Sequence, residues 1–120
     1  MAQYMIQFAY ARDAWTTLAR QPIDRSEVVG GFAESLGGRL LSLHYTMGDF
    51  DGVAIVEAAD DVTAMAMALR TVAGGHVRTT RTTRLYTPQE MVQSLKKAGE
   101  GNYGGPRRQL DAEVAPFVRR

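Results

Sequence analysis

The chain has 120 residues, 45% of them apolar and 22% charged, with a formal net charge of +1 and no cysteine. That length suits one compact domain able to bury about two-thirds of its unfolded surface, and the missing cysteines exclude disulfides, thiolate metal sites and a cysteine nucleophile. From Gly101 onward Arg107, Arg108, Arg119 and Arg120 stand against Asp111 and Glu113, a balance of +2 that leaves the preceding 100 residues near −1 and gives the body no basic footprint for nucleic acid. No run approaches the ~18 apolar residues of a membrane helix. The N-terminus has no basic start leading into a long apolar stretch, so the expectation is a soluble, cytoplasmic protein without nucleic-acid or membrane partners.

Taken in chain order, "QYMIQFAY" alternates, with Tyr4, Ile6, Phe8 and Tyr10 on one face and Gln3, Met5 and Gln7 on the other, which predicts a strand. Trp15 and Leu18 sit three apart before Pro22 and predict a short helical turn. Asp24 followed by Glu27 predicts a capping box opening a second helix, whose stripe is Val28, Val29, Phe32, Ala33 and Leu36. Gly37-Gly38 ends it, since glycine takes the left-handed cap conformation without penalty. "RLLSLHYTM" is the second strand, expected to set Leu41, Leu43, Tyr45 and Met47 on one face and Leu40, Ser42, His44 and Thr46 on the other. "VAIVEA" is apolar on both faces and therefore a central strand.

Asp60 or Asp61 caps a helix running to about Ala73, and Gly74-Gly75 stops it. "HVRTTRTTRLYT" is the fourth strand. Thr87-Pro88-Gln89-Glu90 combines a cap, a first-turn proline and a capping-box glutamate, and starts a last helix to about Ala98. The order βαββαβ plus one helix predicts an α+β, ferredoxin-like sheet of four strands with helices on one face. The domain is expected over 1–98, followed by a Gly-rich, Arg-ended tail over 99–120 in which "LDAEVAPFV" either folds against a neighbour or stays loose.

Helices on one face leave the other open. That face should collect Gln3, Met5, Gln7, Leu40, Ser42, His44, Thr46 and the Val/Ala row of the third strand, together with one row of the fourth. It is too apolar to stay wet and too polar for a dry core, a mixture that meets another subunit, another sheet or a small ligand. The expectation is a homodimer, or an oligomer of dimers, whose sheets meet through these faces around a polar pocket.

The same residues resemble the GYD-domain family, named for a glycine–tyrosine–aspartate signature. Here it reads Gly48-Asp49-Phe50-Asp51, preceded by Thr46 and followed by "VAIVEAADD", with Tyr4, Tyr10, Gly37-Gly38 and "HVRTT" in support, over roughly residues 1–95. Phe50 departs from the pattern by lacking the tyrosine hydroxyl, and Ala59 stands where a proline is usual. The family is similar in fold to the dimeric α/β-barrel proteins, which implies pairing of two copies and no particular activity.

Two readings compete for the acids. Gly48 and Gly52 suit a tight strand connection in which Asp49 and Asp51 bond their own backbone and Phe50 packs on a core edge; alternatively Asp51 is a pocket carboxylate. Architecture is the favoured reading. His44, on the open face, is the best single functional candidate, as a base, a ligand partner or a satisfied interface histidine. His44 and His76 are the only histidines and lack metal-ligand spacing, so no metal site is expected. Arg78 and Arg84 share one face of the fourth strand and Arg81 takes the other, where it suits an anionic ligand or a carboxylate partner. The candidate pocket is therefore Gln7, His44, Thr46, Phe50, Asp51 and Arg81. Two function classes remain: a dimeric binding or assembly module with a small-molecule ligand, and a cofactor-independent or haem-using oxygenase or isomerase of the dimeric α/β-barrel type, with His44 and Asp51 as its polar groups. No P-loop, nucleotide fingerprint or serine-triad pattern narrows the choice, and no catalytic residue or cofactor is assigned.

Overall fold

The computed structural model describes residues 1–104. Its elements are β1 (Ala2–Tyr10), α1 (Arg12–Arg20), α2 (Ser26–Ser35), β2 (Arg39–Tyr45), β3 (Gly52–Ala58), α3 (Asp61–Ala73), β4 (Val77–Leu85) and α4 (Pro88–Glu100). The segment "LDAEVAPFV" and the terminal arginines lie outside the described residues. By backbone contacts the chain divides into Met1–Leu85 and a second unit beginning at Tyr86.

In the first unit the four strands form one sheet in the order β2-β3-β1-β4 with every neighbour antiparallel. β3, apolar on both faces, sits inside the sheet as its pattern predicts. The core lies on one side: Tyr4, Ile6, Ala54, Val56 and Ala58 of the sheet meet Ala33 of α2 and Ala64 and Met67 of α3. Met67 and Met65 thus part company, the first buried and the second 63% exposed. Small alanines at the helix contacts let helix and sheet approach closely, so the few large side chains carry most of the buried apolar area.

Local chemistry sets most boundaries. Gly37 has φ +81 and Gly75 φ +86, left-handed positions that end α2 and α3. Asp60 caps α3 by accepting from Thr63 N–H. Pro22 follows directly on Gln21, the residue after α1, which is a full nine residues rather than a single turn.

The capping box predicted at Asp24 and Glu27 does not form. Arg25 occupies the N-cap, with no side-chain cap bond, and Asp24 instead accepts from Ser26 N–H at 2.8 Å. Asp24 closes a local turn ahead of the helix, which competes with capping for the same carboxylate.

Two register slips reorganise the faces. In β2, Leu40 pairs with Val56 and Ser42 with Ile55, so Leu41 is an extra residue. In β4, Ala9 pairs with Thr79 and Tyr10 with Val77, which makes Arg78 the extra one. A bulge reverses the alternation on one side of itself. Leu40 consequently turns to the helix side and packs on the core beside Leu43. The expectation that Leu40 lies on the open face is corrected by this bulge. The Val/Ala row is corrected too, by pairing with β1: Ala54 opposite Ile6 and Val56 opposite Tyr4 put Ala54, Val56 and Ala58 on the helix side, and Val53, Ile55 and Glu57 take the open face.

α4 begins with the capping box that its sequence predicts: Thr87 Oγ1 accepts from Glu90 N–H and Glu90 accepts from Thr87 N–H, with Pro88 in the first turn. None of its residues is buried.

Candidate functional site

The open face of Met1–Leu85 is defined by cross-strand pairing. One row runs His44, Val53, Gln7, Arg81; the next runs Ser42, Ile55, Met5, Thr83; the third runs Arg39, Glu57, Gln3, Leu85. Of the sequence-predicted site residues, Gln7, His44 and Arg81 therefore fall in one line across all four strands, spanning roughly 14 Å at about 4.8 Å per strand. His44 and Arg81 are exposed at the two edge strands and Gln7 is half-buried between them. The apolar residues Val53, Ile55, Met5 and Leu85 make a diagonal across the face. Val53 stands in that line, so Gln7 and Arg81 flank the diagonal on one side and His44 and Ser42 on the other. On that second side Arg39 meets Glu57 at 3.4 Å beside Gln3.

Thr46, Phe50 and Asp51 belong to the β2–β3 connection. Thr46 lies just beyond β2, with its N–H donating to the Asp51 carbonyl at 2.8 Å and its hydroxyl to the Phe50 carbonyl at 2.7 Å. Asp51 is anchored twice to β1: its N–H donates to the Phe8 carbonyl, and its carboxylate accepts from Tyr10 N–H, both at 2.8 Å. The bonds close the connection against the end of β1, where the paired ladder stops. Gly48 takes φ +127 in the same turn. The signature residues thus tie the β2–β3 connection to the first strand.

Arg84 lies on the helix side, its guanidinium 5.7 Å from the centre of the Tyr4 ring, and its Nη1 donates to the Leu85 carbonyl. Tyr4 donates its hydroxyl to Asp61 Oδ1 at 2.5 Å, which joins β1 to the first turn of α3. The bond to that carboxylate, then burial, raises the Tyr4 pKa above its ordinary value.

Sequence reasoning missed the cavity. A space of about 340 Å³ lies between the sheet's helix side and the helices. Ile6, Phe8 and Val56 line it from the sheet, Val29 and Phe32 from α2, and Met67 from α3. At one end Phe8, Tyr10, Tyr45 and Trp15 form an aromatic cluster, with ring centres 5.4 Å apart for Phe8–Tyr10 and 5.1 Å for Tyr10–Trp15. The Tyr10 and Tyr45 hydroxyls lie 3.3 Å apart. Burial, followed by that bond, pushes the Tyr10 pKa up. The polar groups lining the cavity include Arg25, Arg70, Thr71 and His76, and no carboxylate lines it. These come from the start of α2, the end of α3 and the loop before β4, so no single periodic stretch groups them. Only the basic residue immediately ahead of α2 was a local hint.

Within Met1–Leu85, four antiparallel strands with α2 and α3 packed on one face define an α+β domain of ferredoxin-like topology. A family model for the GYD domain matches residues 4–95, most of the chain, and the protein belongs to the GYD-domain family. Among curated proteins no match was found. No helix among the described residues is long and apolar enough to cross a membrane.

Proposed function

We propose that this protein is a self-associating binding module in which two copies meet through the open faces of their sheets. One observation carries the reading: an apolar diagonal of Val53, Ile55, Met5 and Leu85 with polar residues on both flanks, on the sheet face that the helices of its own unit leave uncovered. An apolar centre with a polar margin is the anatomy of a protein interface. Leaving such a centre in water forgoes about 25 cal/mol for each Å² of apolar surface that pairing would bury. Gln7, His44 and Arg81 would lie in the seam and give it hydrogen-bonding groups for a small polar ligand or for the partner's backbone. Thr46, Phe50 and Asp51 would close the end of that seam from the β2–β3 connection.

The test is the mass of the purified protein in solution, measured by sedimentation at tens of micromolar. A dimer is expected, and Ile55→Lys, which places a charge at the centre of the face, should give a monomer with unchanged circular dichroism. His44→Ala should weaken pairing while leaving the melting of dilute protein within about 0.5 kcal/mol, since His44 is exposed in the single copy. A wild-type mass equal to one chain overturns the proposal, as does a dimer that Ile55→Lys leaves intact.

A further inference from the structure

We propose that the cavity between the sheet and its helices is a second, separate binding site, selective for a small amphiphilic anion: an apolar body carrying one carboxylate or similar negative head. The cavity is on the opposite side of the sheet from the open face, so the inference stands whether or not two copies pair.

Three observations converge. Its volume, about 340 Å³, falls at the lower end of the roughly 300–1,000 Å³ of small-ligand pockets. Most of its wall is apolar, with Ile6, Phe8 and Val56 from the sheet and Phe32 and Met67 from the helices, so a ligand without an apolar body would lose hydration there with little compensation. The charge around it has one sign. Arg25 and Arg70 line the cavity, and among the described residues neither makes an ion pair. His76 also lines it, with Nδ1 3.5 Å from Asp13 Oδ2, so that imidazole already has an acidic neighbour. Arg25 and Arg70 are therefore the two side chains whose charge a ligand head would satisfy. Guanidinium forks match a planar carboxylate. An apolar body held by dry walls and an anionic head held by two arginines is the chemistry that fits both parts of the site.

The experiment is titration calorimetry of the full chain with decanoate and, as uncharged and cationic counterparts of the same tail, decanol and decylamine. Decanoate is expected to bind one per chain and more tightly than either counterpart. Arg25→Gln combined with Arg70→Gln should weaken decanoate by about tenfold or more and leave decanol unchanged. Val29→Trp, which fills the space from α2, should abolish both. Amide chemical-shift mapping gives an independent readout should that variant fold poorly: decanoate should perturb Ala54, Val56 and Val77. The proposal is overturned if neither decanoate nor decanol binds, if the two bind alike and the arginine variants make no difference, or if the perturbed amides cluster away from the cavity.

Discussion

The carboxylate of Asp51 accepts the backbone N–H of Tyr10 at 2.8 Å, across 41 positions of sequence. With the reverse bond from Asp51 N–H to the Phe8 carbonyl, it locks the strand connection carrying the family signature to the end of β1. Asp51→Ala would leave the half-buried Tyr10 N–H without its acceptor and should cost about 1–3 kcal/mol in urea unfolding. Asp51→Asn keeps an acceptor and should cost less. Equal losses from the two variants would show that the negative charge, rather than the acceptor, is what β1 requires.

Two glycines mark places where chains approach too closely for a side chain. A Cβ on Gly38 would lie 2.4 Å from the Glu57 carbonyl oxygen and 2.5 Å from the Met67 methyl, and the carbonyl belongs to the ladder of a central strand. A Cβ on Gly52 would lie 2.3 Å from the end of the Phe8 ring. Gly52→Ala should cost about 1–3 kcal/mol as an overpacking change and be partly rescued by Phe8→Leu. Gly38→Ala should cost more, because backbone cannot step aside as a ring can, and no single side-chain truncation should rescue it. Thermal melts of the four variants, two glycine changes with and without a truncated neighbour, check the order.

Stability should fall at both ends of the pH range. The Thr63 hydroxyl at 2.7 Å and its N–H at 2.9 Å both donate to Asp60 and hold its carboxyl below the usual carboxylate range; Ser26 does the same for Asp24. A pKa lowered by folding contributes stability above about pH 4 that is lost as the pH falls through the folded value. Tyr4, raised first by its bond to Asp61, and Tyr10, raised first by burial, work in the opposite direction. Their contribution is present below about pH 10 and is lost as the pH rises through their folded values. Urea midpoints measured across pH should show a plateau with two shoulders. Asp60→Asn should reduce the acid shoulder, leaving the part due to Asp24, and Tyr4→Phe should reduce the alkaline one, leaving the part due to Tyr10; shoulders that neither change moves would contradict this origin.

α4 buries none of its residues, so its ends weigh more in its stability than packing does. Glu90 N–H donates to Thr87 Oγ1 at 3.1 Å and Thr87 N–H to Glu90 Oε1 at 2.9 Å. Thr87→Ala removes one half of that box, worth about 1 kcal/mol. Hydrogen exchange at Glu90 and Met91 should then speed up by about fivefold, and an unchanged rate would mean that the helix is held by something other than its cap.

Where a signal is carried within a few neighbours, the chain reads directly. Asp60 three residues before Thr63, Thr87-Pro88-Gln89-Glu90, and glycines where the backbone must turn left-handed each act over one helical turn, and each behaves as the residue types predict. Alternation gave β1 its buried face, since Tyr4, Ile6 and Phe8 are separated by polar or slender residues. Asp24 shows the limit of such reading, because its carboxylate takes the N–H of Ser26, two residues on, and not that of Glu27 as a capping box requires.

The sequence by itself therefore determined the order and type of the elements, the one-sided sheet and the ends marked by Asp60, Thr87 and the left-handed glycines, because short-range hydrogen bonding and side-chain periodicity are properties of adjacent residues. It did not determine the length of α1 or the cap of α2. Tertiary structure decided which residues share a face. A single extra residue at Leu41 carries Leu40 to the helix side, and pairing of four strands draws His44, Gln7 and Arg81 into one line. It also decided that Arg25, Arg70 and His76 surround a single apolar space. Register and enclosure are relations between distant segments, fixed only when the strands have closed and the helices have settled on them.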